Sequence, residues 1–142
     1  MTGKRSKARH RAVQALYQWQ LTGQDLSDID NQFLIEQDVR TFEVPYFKEL
    51  LHGVPANLHA LDEQLSPLLD RALASVDPVE RAILRLGAYE LMHHPEVPFR
   101  VAIDEAVELA KIFGAEQGHK YVNGVLDKMA RRVRRSEIEH VD

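Results

Sequence analysis

Three sets of residues in this 142-residue chain have types and spacings that could carry chemistry, and none contains a cysteine. Without thiols there is no disulfide, thiolate nucleophile, haem–thiolate or cysteine–zinc site, a usage that fits a reducing compartment. The first set is histidine and carboxylate. His93 and His94 are adjacent, so on a helix their rings diverge by about a quarter-turn and do not readily share one metal ion. A solvated helix end is the plainer reading. Asp104 and Glu108 lie one helical turn apart, a spacing that suits a divalent ion or an acid–base pair, and equally an ordinary exposed face. The chain has no glycine-rich phosphate loop, no HExxH and no nucleophile elbow. An enzyme reading has no positive support, and neither a metal nor a cofactor is expected.

The second set is cationic. Residues 1–11 hold Lys4, Arg5, Lys7, Arg9 and Arg11 with no acid, and residues 128–135 hold Lys128, Arg131, Arg132, Arg134 and Arg135 with no acid. The stretch 12–127 carries −11 and the tail 136–142 carries −3, so the formal net charge of −4 hides a basic–acidic–basic order. Such segregation points to an anionic partner at the termini and a different partner on the acidic middle. If the first cluster continues the helix behind it, Lys7, Arg11, Gln14 and Gln18 share one face at i, i+4, i+7, i+11. Arginine, glutamine and tyrosine together can neutralise phosphates, pair with base edges and stack on bases. Tyr17 sits nearer that polar face and is the stacking candidate, while Trp19 is assigned to the core. The competing reading is a solvated, partly frayed terminus. The C-terminal cluster is a weaker signal, because cations at a helix end also favour the macrodipole.

The third set is the segment 113–127 (FGAEQGHKYVNGVLD), which joins two helices and brings Phe113, Lys120, Tyr121 and Asn123 near the junction. Gly124 falls inside the second helix, where it costs about 1 kcal/mol against alanine. A tight helix–helix contact there, with Tyr121 in the core, is the structural explanation to test.

The elements that must position these residues read as helices, with almost no strand signal. Helices are expected over 6–21 (closed by Gly23), 28–38 (capped by Ser27), from Glu43 with Tyr46, Phe47, Leu50, Leu51 and Val54 inward, and again after a break at Pro55 with Leu58, Leu61 and Leu65. Pro67 opens a short helical piece. Asp77-Pro78-Val79-Glu80 is the clearest start signal, with Asp at the N-cap, Pro at N1 and Glu at N3. The helix it opens, to about Met92, is apolar nearly all round and reads as a central one. Further helices are expected over 98–113, with Gly114 as its terminating residue, and 116–133. The fold class is therefore all-α, six to seven helices in two packed bundles, about 5–70 and about 77–133, with the division near 71–77. No apolar run reaches membrane-spanning length and the basic N-terminus has no apolar segment behind it, so a cytoplasmic protein is expected.

At this point the residues resemble a known family. Ala12 through Leu21 (AVQALYQWQL) behind a basic arm, Val97 through Lys111 (VPFRVAIDEAVELAK) and Phe113-Gly114 with Lys120 through Asp127 (KYVNGVLD) are similar to the NusB family of bacterial transcription antitermination factors. Tyr46-Phe47 and Val79 through Arg85 match as well, so the resemblance covers about residues 5–130. It implies two packed helical bundles and no catalysis. It also implies binding of the single-stranded boxA element of nascent ribosomal RNA together with NusE, itself a small-subunit ribosomal protein, in a larger complex with NusA, NusG and RNA polymerase that resists Rho-dependent termination. Carried over by position, Lys4, Arg5, Lys7, Arg9 and Arg11 match the RNA-binding arm. Tyr17, Phe113, Lys120, Tyr121 and Asn123 match positions on or near the RNA surface, and Glu80 matches an acidic position on the NusE face. Leu68 departs from the pattern, since an aromatic residue is expected there. No role is assigned to the stretch from Arg131 onward.

The physical expectations follow. Five arm cations give a slope of at most about −3.5 in log K against log salt on a single strand, and each stacked base adds about 1–3 kcal/mol. The acidic body opposes RNA, and a basic partner on it raises affinity. Arg9→Ala is expected to weaken RNA binding without unfolding the protein. The alternative function is a helical interaction scaffold without specific RNA binding. The NusB-like N-terminal domain of a ribosomal RNA cytosine methyltransferase would need a following cofactor-binding domain, for which 142 residues leave no room. Some NusB-like proteins self-associate, so a homodimer that hides the arm is a further expectation.

Overall fold

The computed structural model describes residues 3–114 and 117–139. Among them the secondary structure is helical: eight α-helices and two short 3₁₀ turns, with no strand. The fold is all-α, as the periodicity predicts. No helix among the described residues is long and apolar enough to cross a membrane.

The chain forms two compact units, Met1–Ala56 and Asn57–Asp142. The boundary therefore falls between Ala56 and Asn57, just past Pro55, which itself lies inside a helix, and not in 71–77, because the helix after it packs against later helices of the second unit. The expected N-terminal bundle of 5–70 is shortened accordingly.

The first unit holds α1 (Lys4–Thr22), α2 (Leu26–Glu36) and α3 (Val44–Ala56). The basic cluster does continue the first helix, from Lys4 onward. The small residues Ala8, Ala12 and Ala15 beside Val13 and Leu16 make its buried stripe, and α1 packs on both α2 and α3. Gly23 ends α1 at φ 66°, a left-handed conformation that favours glycine. Asp25, not Ser27, caps α2: its carboxylate accepts from the Ser27 amide at 2.8 Å. Phe47 is fully buried and packs against Phe33 at 5.7 Å and edge-on to Phe42 at 5.5 Å. Trp19 is half-buried and not a core residue.

The second unit holds α4 (Leu58–Leu65), the 3₁₀ turns Ser66–Leu68 and Leu73–Ser75, α5 (Pro78–His93), α6 (Phe99–Phe113), α7 (Gly118–Val133) and α8 (Arg135–Glu139). The Asp77 carboxylate accepts from the amides of Val79 (3.1 Å) and Glu80 (3.2 Å), the expected cap. α5 is central, packed against α4, α6 and α7, and ten of its residues are buried, which leaves it little surface for solvent. Arg85 holds both oxygens of Asp62 at 2.9 Å and so clamps α5 to α4. The close helix–helix approach lies at Gly87, where a Cβ would come within 2.6 Å of the Leu126 side chain. It does not lie at Gly124, which is exposed and where a Cβ would meet nothing within 4 Å. Gly114 terminates α6 in extended rather than left-handed conformation; a Cβ there would come within 2.8 Å of the Ala110 carbonyl. The expected start of α7 at Glu116 lies outside the described residues.

Candidate nucleic-acid interface

The cations of α1 divide by helical phase. Lys4 is exposed and Lys7 half-buried. Arg5 donates to both oxygens of Glu43 at 3.0 and 3.2 Å and lies 4.1 Å over the Tyr46 ring. That hydrogen bond holds the Glu43 carboxyl below the usual carboxylate range. Arg9 is only 3% exposed, over the other part of the Tyr46 surface at 5.4 Å. Its guanidinium is packed inside the unit, so Arg9→Ala would remove core contacts, contrary to the expectation of a neutral arm variant. Arg11 is half-buried near Phe42 and donates to Nδ1 of His10 at 3.0 Å. Burial first, and the Arg11 charge second, push the His10 pKa down, which keeps the ring neutral and able to accept. Tyr17 is 37% exposed, one turn before the exposed Leu21.

The second unit brings some of the remaining residues together and separates others. A pocket of about 250 Å³ is lined by Arg71, Glu80, Gln117, Gly118 and Tyr121. Arg71 lies 4.9 Å over the Tyr121 ring and pairs with Asp70 at 2.7 Å. The Tyr121 hydroxyl is buried with no close hydrogen-bond partner; burial first, and a hydrogen bond with the Asp70 carboxylate second, raise its pKa. Glu80 is 7% exposed, and burial, reinforced by Asp77, raises its pKa. A Cβ on Gly118 would meet the Glu80 carboxylate, so a larger residue here would push that side chain out of its present position. Glu80 thus shares a pocket with Tyr121 and does not project from an open acidic face. Asn123 does not join them: it lines a separate hollow of about 120 Å³ with Phe99, Arg100, Ile103, Asp104 and Asp127. Lys120 is exposed on α7, and Phe113 is half-buried at the end of α6.

Sequence reasoning missed Arg71, whose guanidinium covers Tyr121, and Arg134. The latter is 7% exposed and donates to the carbonyls of Leu91 (2.8 Å), Glu90 (3.3 Å) and His94 (2.9 Å), closing the C-terminus of α5. One arginine of the C-terminal cluster is therefore a structural cap. Neither was legible from spacing, because their partners lie on other helices.

The described residues form an all-α protein with two candidate patches, the cations of α1 in the first unit and the Tyr121 pocket in the second. Among the described residues no three histidines or carboxylates gather as they would around a metal ion. Residues 6–131 match the model of the NusB family, and the chain belongs to that family. It is 58% identical to the transcription antitermination protein NusB of Nitrosococcus oceani over 137 residues, 96% of this chain and 92% of the relative. It is 54% identical to that of Shewanella halifaxensis over 131 residues, 92% and 97% of the two chains. Among solved structures it is similar to T. maritima NusB, with a TM-score of 0.83 at 30% identity over 98% of this chain and 99% of that one. It is also similar to NusB in a complex of the antitermination factors NusB and NusE with double-stranded RNA, with a TM-score of 0.79 at 26% identity over 89% and 95%.

Proposed function

We propose that this protein is a transcription antitermination factor that, with NusE, binds the boxA element of nascent ribosomal RNA and helps RNA polymerase resist Rho-dependent termination, alongside NusA and NusG in the cytoplasm. The observation that carries the reading is the Tyr121 pocket beside the exposed Lys120, in a chain whose relatives are antitermination proteins. An aromatic ring gives a base a stacking face, and the covering Arg71 adds a cation. The Glu80 carboxylate and the buried Tyr121 hydroxyl offer hydrogen bonds to base edges, which phosphate contacts cannot supply. Glu80 also remains the candidate contact to NusE, the role that its position in the family pattern implies. Lys4, Lys7 and, after release from Glu43, Arg5 neutralise phosphates, with Tyr17 as the stacking residue of α1. Phe113 and Asn123 are secondary positions. The surface for a basic partner is the outer face of α6, where Asp104 and Glu108 stand beside the exposed Val101 and Ile112. The role is binding, and no side chain is asked to do chemistry.

Fluorescence anisotropy tests the reading with a boxA RNA, a scrambled single strand and a duplex, each with and without NusE over a salt series. Preference for single-stranded boxA, strengthened by NusE, is expected. Equal weak binding to all three, indifferent to NusE, would leave a helical interaction scaffold.

A further inference from the structure

Two features of α7 work against its own stability without any return inside the unit. Gly124 occupies a mid-helix position, where glycine is less stable than alanine, yet the space a Cβ would fill is open. Lys120 lies in the first turn, which contains no acid, at the end where the helix dipole disfavours a cation. With 100° per residue, Lys120, Tyr121, Gly124, Lys128, Arg131 and Arg132 fall within an arc of about 120°, and the row runs about 18 Å from Lys120 to Arg132. All but the half-buried Tyr121 are exposed. Arg131 is paired with Asp127 at 3.1 Å, while Lys120, Lys128 and Arg132 have no ion-pair partner among the described residues. The helix dipole accounts for cations in the last turn only, which leaves Lys120 and Lys128 unexplained. The family match ends at residue 131, so Arg132 lies beyond it.

The geometry points to a second RNA contact: the exposed face of α7 is a sequence-blind rail for the sugar–phosphate backbone of the strand leaving the Tyr121 pocket. Lys120, Lys128 and Arg132 neutralise phosphates along the strand, with one nucleotide's step at Gly124 between the two lysines, where the backbone lies directly against the helix. Each i,i+4 step is about 6 Å, the scale of one extended nucleotide. Continuity with the pocket and the bare helix at Gly124 favour a nucleic-acid strand as the occupant. The inference rests on the RNA reading proposed above.

The test uses Lys128→Gln/Arg132→Gln and, separately, Gly124→Leu, all at exposed positions. A boxA RNA and a scrambled RNA of equal length, each extended on both sides, are titrated over a salt series with and without NusE. Losing two phosphate contacts makes the slope of log K against log salt shallower by about 1.4 on both RNAs, so between about 50 and 200 mM salt the wild type loses about seven-fold more affinity than the double variant. The boxA preference is unchanged. Gly124→Leu weakens both RNAs at the wild-type slope, because no charge is removed. An unchanged slope in the double variant, with boxA still preferred by the wild type, overturns the rail and leaves the proposed function standing. A shallower slope with no wild-type preference overturns the boxA reading and keeps the rail. No binding of either RNA by the wild type overturns both, and wild-type affinity in Gly124→Leu overturns the close approach.

Discussion

Arg5 and Arg9 read alike in the sequence and differ in what they can do. Helical phase separates them: Arg9 stands three, four and seven residues before Ala12, Val13 and Leu16, the buried stripe of α1, and it is buried with them. That signal was present in the sequence, but counting charge in an arm conceals it. Arg9→Ala is therefore expected to destabilise the protein by about 1–3 kcal/mol, through the lost aliphatic stem and the lost contact with Tyr46. Lys4→Gln and Lys7→Gln are expected to stay within about 0.5 kcal/mol of wild type and to weaken RNA binding. Urea unfolding beside anisotropy separates the two kinds of variant; a wild-type urea midpoint for Arg9→Ala would contradict the buried placement. Tyr121 makes the complementary case. Its hydroxyl is buried with no close partner, its approach to the Asp70 carboxylate offsetting only part of a desolvation cost of about 1–3 kcal/mol. Tyr121→Phe should leave the Tm of the free protein unchanged or higher while reducing boxA affinity. A clear drop in Tm would mean that the fold itself uses the hydroxyl.

At the level of elements, helix positions were legible where a start or stop has a local chemical cause, such as the Asp77 cap and Gly23. Which glycine permits close packing was not legible. Gly87 and Gly124 both interrupt helices, yet only the first faces another helix closely, and that depends on partners far away in sequence. The same holds for α8. From it Glu137 accepts from the Phe99 amide at 2.9 Å, where the residue before α6 offers no side-chain cap, and it pairs with Arg134. Arg134→Ala should cost at least about 2 kcal/mol, since three carbonyls lose a charged donor. Burial pushes the Glu137 carboxyl up, but the Phe99 amide and Arg134 outweigh it and hold the group below its ordinary range. The unfolded chain then binds the proton more readily. The stabilisation is complete above the unfolded carboxylate value of about 4.3 and disappears as pH falls through the lower folded value. Thermal melts between neutral pH and about pH 3 should show Glu137→Gln losing part of the wild type's acid sensitivity. Parallel pH profiles for the two proteins would argue against the cap.

For the molecule as a whole, the order of charge was the most informative feature of the sequence, and the boundary between units the least. Charge is additive and can be counted along the chain. The boundary depends on whether α4 finds its burial with earlier or later helices, and Leu61 and Leu65 would serve either. The same charge order makes a prediction about the partner. A net charge of −4 lies on a body whose central stretch alone carries −11, so RNA drawn, as proposed, to cations on α1 and α7 would also be repelled by the rest. A basic protein that covers acidic surface removes repulsion as well as adding contacts, and the parts of that gain respond differently to salt. Repulsion is screened over about 10 Å at 0.1 M ionic strength and phosphate contacts weaken with salt through counterion release, whereas stacking and neutral hydrogen bonds to bases release no counterions. The gain in boxA affinity on adding NusE should therefore be largest at low salt and shrink as salt rises. The ratio of dissociation constants with and without NusE, followed from about 50 mM to well above 0.2 M salt, measures it. A ratio that stays constant would place the whole gain in contacts that release no counterions, such as stacking and hydrogen bonds to bases. The acidic surface would then serve to dock the partner and have no electrostatic part in RNA affinity.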